Sequence, residues 1–188
     1  MLKRLALRIV VVIGALYLCL LALGSSLLPP VYTISSEIDI ESTAEETWKV
    51  LTDFKSYGEW NPYLLKAEGI LREGEAVTLT LISDNFDKPF TTTARFASVI
   101  VPTQFHWENS LLVTGIYDTR HYFVLEPNNN GQIRLHQYEE FRGLLAWLLN
   151  GDEPRKAAAK EGFHQMNIAL KEKLEHHSIK NTQSKGAK

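Results

Sequence analysis

Apolar and polar residues alternate with different periods along this chain, and the changes of period divide it into segments. Residues 9–28 contain no charge over 20 positions, which as a helix would measure about 30 Å, the thickness of a bilayer core. All three basic residues that precede this segment lie within 1–8, and no Lys or Arg follows before Lys49. The positive-inside rule therefore predicts a cytoplasmic N-terminus at 1–8, a transmembrane helix at 9–28 and an extracytoplasmic domain, periplasmic if the cell is bacterial.

The same segment also has the features of a secretory signal. Ala22–Gly24 is a small-x-small triplet of the kind that signal peptidases accept, so cleavage near Gly24 is the alternative to a retained anchor. In both interpretations Pro29 and Pro30 end the helix, because proline lacks the N–H that the next backbone hydrogen bond needs. The folded domain is expected to begin near Val31.

Beyond the prolines the period changes to that of a strand. Isoleucines share one parity over 32–40 and polar residues take the other, which predicts a strand with one buried face. The spacing Ser42-x-x-Glu45 is that of a capping box, and apolar residues follow it at helical spacing, so a short helix is predicted at 43–52. The aromatic-rich segment 53–62 is interpreted as a helical turn folded onto the core.

Six further strands and one long helix complete the domain. The strands are predicted at Leu64–Gly69, Ala76–Ser83, Phe90–Val101, Gln104–Asn109, Gly115–Glu126 and Gln132–Phe141. Turn residues, Asp84-Asn85 among them, separate these strands, and no connection is long enough for a crossover helix, so the pairing must be antiparallel. Apolar residues at helical spacing predict a long helix at 153–176, and the polar residues 177–188 are expected to form a disordered tail.

Composition narrows the partners of this domain. Residues 31–188 contain 17 basic and 22 acidic side chains, and a formal charge of −5 argues against nucleic acid as a partner. The single cysteine, Cys19, lies in the N-terminal segment, so the domain can have neither an internal disulfide nor a cysteine metal site. The six histidines show no ligand spacing apart from the terminal pair His176-His177. We expect no metal and no cofactor.

The order of elements predicts an α+β domain in which a curved antiparallel sheet wraps around the long C-terminal helix. Four passages resemble the START-like or SRPBCC superfamily, with its helix-grip fold, and within it the polyketide cyclase/dehydrase-like proteins. These passages are STAEETWKVLTDFKSYGEWNPYL, HYFVLEP, EEFRGLLAWLL and GFHQMNIALKEKLE. The resemblance covers residues 31–176. It implies a fold more than a reaction, because the superfamily includes cyclases, lipid carriers and hydrolase-like members.

Strand parity predicts which side chains face the helix. The inward set combines aromatic residues with the polar candidates His121, Gln137 and Glu139, a composition that suits a pocket for an apolar ligand. The resemblance adds Trp60 and Asn61 at the mouth of such a cavity. The expected cavity residues are Trp60, Asn61, Trp107, Tyr117, His121, Phe123, Gln137, Phe141, Phe163, Met166 and Leu170. The alternative is that these aromatic residues simply fill a solid core.

Two of the inward polar residues are candidates for catalysis. His121 and Glu139 belong to strands that should be neighbours, so they are expected to meet. They would then form a general acid and base pair in which the pKa of the histidine is adjusted by its surroundings. A satisfied buried histidine and an ion pair at the rim are the structural alternatives, and no nucleophile motif accompanies the pair. The apolar run 143–149 is interpreted as a lid, as a segment that rests on the membrane surface, or as an ordinary connector.

Three functional hypotheses follow. The leading one is a membrane-tethered binding module that takes an apolar, amphipathic or lipid-like small molecule between the sheet and the last helix. The second is a cyclase or dehydratase-like enzyme that uses His121 and Glu139. The third is a protein-interaction module at the membrane, without a cavity, that makes contact through the run at 144–149. The sequence favours binding over catalysis and names no protein partner.

Overall fold

The structure is a computed structural model that describes residues 2–27, 29–82 and 88–185. It divides into two compact units. The first consists of Met1–Thr33, Ser110–Thr119 and Glu140–Gly151, and the second of Ile34–Asn109, Arg120–Glu139 and Asp152–Lys188. The residues that we predicted to form one domain are thus distributed over both units.

The described elements follow the predicted order. The helices are α1 (Leu2–Leu27), α2 (Ala44–Leu51), α3 (Tyr57–Trp60), α4 (Leu144–Leu148) and α5 (Glu153–Lys185), with a 3-10 turn at Phe54–Ser56. The strands are β1 (Tyr32–Ile40), β2 (Leu64–Gly69), β3 (Ala76–Leu81), β4 (Phe90–Ile100), β5 (Gln104–Ser110), β6 (Asp118–Pro127) and β7 (Ile133–Arg142). The predicted turn at Asp84-Asn85 lies outside the described residues.

The seven strands form one sheet in the order β1-β7-β6-β5-β4-β3-β2. The pairs of β2 with β3, β3 with β4, and β4 with β5 are antiparallel, with Val77 opposite Ala94 and Phe96 opposite Trp107. The antiparallel sheet and the long C-terminal helix of a helix-grip fold are therefore confirmed. Short turns join β4 to β5 and β6 to β7, because each of these strands lies beside the next one in the sheet.

Three predicted boundaries need correction. Strand β6 begins at Asp118 and not at Gly115, since Gly115 has a φ of +94° and lies in the turn that precedes the strand. Helix α2 is capped by Thr43, whose hydroxyl accepts from the N–H of Glu46, one residue later than the predicted box. Helix α5 continues to Lys185, so residues 177–185 are helical where a disordered tail was expected, because no proline or glycine interrupts the chain there.

The N-terminal segment forms α1, which begins several residues before the predicted start at residue 9. Among the helices in the described residues, none combines the length and apolarity needed to cross a bilayer. The transmembrane helix predicted at 9–28 is therefore not supported. Part of that range, Leu28 together with the side chains of 18 and 20–27, lies outside the described part of the chain.

The core of the second unit is aromatic. Phe105 is fully buried, with its ring centroid 4.8 Å from that of Phe123, 5.8 Å from Trp107 and 6.3 Å from Phe96. Phe54, from the 3-10 turn, stacks on Phe96 at 5.9 Å. Phe105, Trp107 and Phe123 lie on the predicted inward parity of β5 and β6, so one face of this part of the sheet is buried against the short helices.

Candidate functional site

The inward face of β6 and β7 places three polar side chains together inside the second unit. His121 and Gln137 are buried, and Glu139 keeps 17% of its side chain exposed. The side-chain amide nitrogen of Gln137 lies 3.0 Å from Nε2 of His121, and Nδ1 of His121 lies 3.7 Å from Oε2 of Glu139. His121 and Glu139 therefore lie close together, although 3.7 Å is longer than a hydrogen bond, and their role as acid and base stays a prediction.

The two ring nitrogens of His121 have different partners. With the Gln137 amide oriented as described, its N–H donates to Nε2, so Nε2 accepts and a neutral ring holds its proton on Nδ1, the nitrogen that faces Glu139. The second N–H of the same amide donates to Sδ of Met166 at 3.7 Å. One ring nitrogen of His121 is thus held by the Gln137 amide, and the other faces the Glu139 carboxylate.

Aromatic rings enclose His121 on several sides. Its ring centroid lies 4.7 Å from Phe163 of α5, 4.8 Å from Phe123 and 5.3 Å from Trp107. Phe163 and Phe123 are fully buried and Trp107 nearly so. The site is thus an imidazole, an amide and a carboxylate set in an apolar surrounding, in which a polar contact has more effect than in water.

Tyr63, which the sequence argument did not single out, belongs to this site. Its ring packs 5.7 Å from that of Phe163 and lies against Gly162, where an added Cβ would come within 2.3 Å of the ring. Burial, and secondarily the charge of Glu139, raise the pKa of the Tyr63 phenol well above its usual range. The signal available in the sequence was Gly162, a helical glycine beside Phe163 that leaves room for a neighbouring ring.

Several buried polar atoms in the second unit lack a protein partner. Both hydrogens of the Gln137 amide are used, and its Oε1 has no partner. Turning the amide by 180° would leave its nitrogen unpartnered instead, so one end is unsatisfied in either orientation. Asn167 of α5, next to Met166, is fully buried with neither amide atom bonded. Such atoms each cost about 1–3 kcal/mol when nothing satisfies them.

The structure brings some predicted cavity residues together and places others elsewhere. His121, Gln137, Phe163 and Met166 are joined by the contacts above, and Leu170 is fully buried on the same helix. Asn61 is buried, but its Oδ1 accepts from the backbone N–H of Tyr63 and of Leu64, which is a turn-forming role.

Trp60 is half-buried and donates from its indole to the Ser56 hydroxyl at 3.2 Å, and its ring packs against Tyr57. Tyr117 and Phe141 belong to the first unit, where their ring centroids are 6.0 Å apart. The lining of a cavity by these residues stays a prediction.

An open surface pocket of about 550 Å³ lies elsewhere in the second unit. Its lining residues are Glu41, Ser42, Thr43, Glu46, Asn130, Gly131 and Gln132, and none of them is a predicted site residue. We place the functional site at His121 because the buried, incompletely bonded polar groups lie there and not in this shallow polar surface. Over the described part of the chain, no three His, Cys, Asp or Glu side chains meet in a way that could hold a metal ion.

Comparison with solved structures identifies the same fold in proteins of very different sequence. The chain superposes on the Zhui aromatase/cyclase from Streptomyces sp. R1128 with a TM-score of 0.59 at 17% identity, over 78% of this chain and 95% of that one. A START superfamily protein from Mycobacterium smegmatis gives 0.58 at 16% identity, over 77% and 97%. TTHA0849 from Thermus thermophilus gives 0.61 at 12% identity, over 78% and 99%.

The sequence itself matches a family profile over most of its length. No curated protein sequence matches the chain. Residues 32–175 match the family described as polyketide cyclase / dehydrase and lipid transport. The matched range runs from β1 through most of α5, and so it includes every side chain of the site around His121. The chain therefore belongs to the polyketide cyclase/dehydrase and lipid transport family.

Proposed function

We propose that this protein binds an apolar or amphipathic small molecule, of lipid-like or polyketide-like character, between the sheet and α5. The single observation that carries the proposal is the Gln137 amide, which is buried among aromatic rings with one end unpartnered. A ligand hydroxyl or carbonyl that bonds this amide would remove the cost of the unsatisfied atom, while the rings would bury the apolar body. The family of the chain supports the proposal.

Binding at this site requires the interior to open. Four side chains of the site have no exposed surface, so no space of the size of a water molecule adjoins them. They are Gln137, Phe163, Met166 and Asn167. Glu139, half-buried beside His121, marks the side on which the site comes nearest to solvent. Tyr63 packs against α5 through Gly162, and a shift of this ring or of α5 would admit a ligand. The bound and empty states should therefore differ in the position of the Tyr63 ring or of α5.

The direct test is to recover the ligand. The full chain would be purified from its own host in lipid nanodiscs, and the bound small molecules would be extracted and identified by mass spectrometry. Gln137→Leu has similar volume but no amide, so we expect the amount of the enriched molecule to fall about tenfold, which corresponds to about 1.4 kcal/mol, the size of one buried hydrogen bond.

The matched control is His136→Leu, which changes the neighbouring residue of β7 on the opposite, half-exposed face. It should retain the molecule at the level of the original chain, and the lipid background should be the same in all three samples. If the three proteins release the same molecules in the same amounts, or none releases any beyond the lipid of the disc, the binding proposal is wrong.

A second candidate function is catalysis by His121 and Glu139. The observation that favours it is the 3.7 Å approach of the Glu139 carboxylate to the one ring nitrogen that the Gln137 amide leaves available. A recovered ligand that is chemically converted by fresh protein, and is bound but not converted by Glu139→Gln, would make the protein an enzyme. Binding without conversion by either protein would leave the binding function alone.

We further propose that the N-terminal segment holds the domain at a membrane, with residues 1–8 in the cytoplasm and the domain outside it. The support is the sequence: 20 uncharged positions at 9–28 preceded by three basic residues. Cleavage near Gly24 is the competing outcome. The mass of the mature chain, with its recovery in membrane or soluble fractions of the host, separates the two.

A further inference from the structure

The first unit presents an exposed apolar surface composed of two segments. One is the loop 111–116 between β5 and β6, and the other is α4 with its flanking residues. The exposed side chains, which we call the apolar face, are Leu111, Leu112, Val113, Leu144, Trp147 and Leu148. Leu112 is 87% exposed, Trp147 66% and Leu148 62%. Contiguous apolar surface of this kind marks a contact with a partner or with lipid.

Backbone contacts hold the two segments together. The N–H of Leu144 donates to the carbonyl of Gly115 at 3.1 Å, and that of Leu145 to the carbonyl of Ile116 at 2.8 Å. Gly143 permits this approach, because its φ is +93° and a Cβ there would lie 2.7 Å from the Gly115 oxygen. The apolar face is therefore one built surface and not two loose loops.

The backbone at the tip of the loop is unusual. Leu112 has a φ of +66°, which side-chain-bearing residues other than Asn and Asp rarely adopt. This conformation coexists with an almost fully exposed leucine side chain. No charged residue occurs in 111–117 or in 143–151, so contact of the face with lipid would not require desolvation of a charge from these segments.

The path of the chain relates the apolar face to the N-terminal segment. The N–H of Val31 donates to the carbonyl of Phe141 at 2.8 Å, and the rings of Tyr32 and Phe141 stack at 4.6 Å. The uncharged N-terminal segment thus enters the first unit beside Phe141, two residues before Gly143, where the α4 part of the face starts. A bilayer that holds the N-terminal segment would lie next to this surface.

We propose that the apolar face docks on the lipid surface of the membrane that holds the N-terminal segment. The occupant is the bilayer, because the emerging segment brings lipid to this side of the unit and because Trp147 and the leucines suit the interface between headgroups and acyl chains. This inference rests on the proposed membrane location and is independent of ligand binding at Gln137. It would hold the first unit in a fixed orientation on the membrane.

Site-specific fluorescence tests the docking. Two proteins would be made from the full chain with Cys19→Ser, one with Leu112→Cys and one with Leu148→Cys. The single cysteine of each would be labelled with a nitrobenzoxadiazole fluorophore. The matched control is Val101→Cys, 67% exposed at the end of β4 in the second unit. Each protein would be reconstituted in vesicles of phosphatidylethanolamine and phosphatidylglycerol containing a nitroxide-labelled lipid, and circular dichroism would verify its fold.

We expect the nitroxide lipid to quench the labels at 112 and 148 several-fold more than the label at 101, with a blue shift of their emission. Equal, weak quenching at all three positions in chains that float with the vesicles would overturn the docking and leave the anchor intact. A blue shift without quenching would mean that protein covers the face, which also overturns it. Chains that fail to float would overturn anchor and docking together, while ligand binding would stand.

Discussion

At the scale of single residues, this protein keeps polar groups in its interior in two different ways. Tyr57 is fully buried, yet its phenol donates to the carbonyl of Leu51 at 2.6 Å, so both groups are satisfied and serve the fold. Gln137 and Asn167 are equally buried and remain incompletely bonded. The first kind of group stabilises the native state, and the second kind is what a bound molecule can complete.

The Tyr57 bond gives a prediction about stability. Tyr57→Phe leaves the Leu51 carbonyl buried without its partner, so the free energy of unfolding should fall by about 1–3 kcal/mol. Thr103→Val is the control, because it removes an exposed hydroxyl-to-carbonyl bond, to Ile100, and should cost less than about 0.5 kcal/mol. Chemical denaturation measures both. Equal losses in the two variants would show that burial of the bond has no role.

At the scale of elements, α5 combines buried apolar residues and an unpartnered buried amide on one face. Phe163, Met166 and Leu170 are fully buried on this face, and Asn167 lies among them. Gly162 leaves the space that the Tyr63 ring occupies. The contact between Tyr63 and α5 is therefore the one that we expect to give way when a ligand enters.

Gly162→Ala tests that contact, because its effect on the free energy of unfolding should change sign when the Tyr63 ring is removed. In the original chain Gly162→Ala should lower the free energy of unfolding by about 1–3 kcal/mol, because the new Cβ overlaps the Tyr63 ring. In a Tyr63→Ala background the same change should stabilise by up to about 1 kcal/mol, since alanine is the better helix former. A double-mutant cycle of unfolding free energies measures the reversal. Equal effects in both backgrounds would contradict the packing described here.

At the scale of the whole molecule, one ion pair predicts part of the loss of stability at low pH. The Arg134 guanidinium on β7 binds the Asp39 carboxylate on β1 through two hydrogen bonds, of 2.8 and 3.0 Å, and holds the pKa of Asp39 below its ordinary value of 3.8. Because the folded pKa is lowered, the contribution of this carboxylate is present above pH 3.8. It is lost as the pH falls through the folded pKa.

Asp39→Asn should therefore lower the midpoint temperature of unfolding at pH 7, and its effect should become progressively smaller as the pH falls below about 4. Both side chains are partly exposed, so the difference at pH 7 should be small and should shrink in 1 M salt. Thermal unfolding of the two proteins between pH 2 and 7 measures it. A difference that is constant over this range would exclude the ion pair as its cause.

Much of the fold and part of the site could be predicted from the sequence. The periods of 2 and 3.6 residues gave the seven strands, the long helix and the inward placement of His121 and Gln137, because burial of one face imposes these periods on the chain itself. They also gave the meeting of His121 with Glu139, since consecutive antiparallel strands are neighbours. The resemblance to the family came from packing residues that recur with the fold.

Other features depend on which distant side chains meet, and periodicity contains no information about that. Three such features occur where α5 packs against the sheet and against the residue before β2. They are the contact of Tyr63 with Gly162, the partners of the Gln137 amide and the lack of partners for the Asn167 amide. Likewise, the apolar run 143–149 was evident in the sequence, but only the folded backbone joins it to 111–116 and brings it beside Val31. The sequence by itself determined the elements and their buried faces. The tertiary structure alone decided which polar groups remain unsatisfied and which apolar residues remain exposed, because both depend on contacts between segments far apart in the chain.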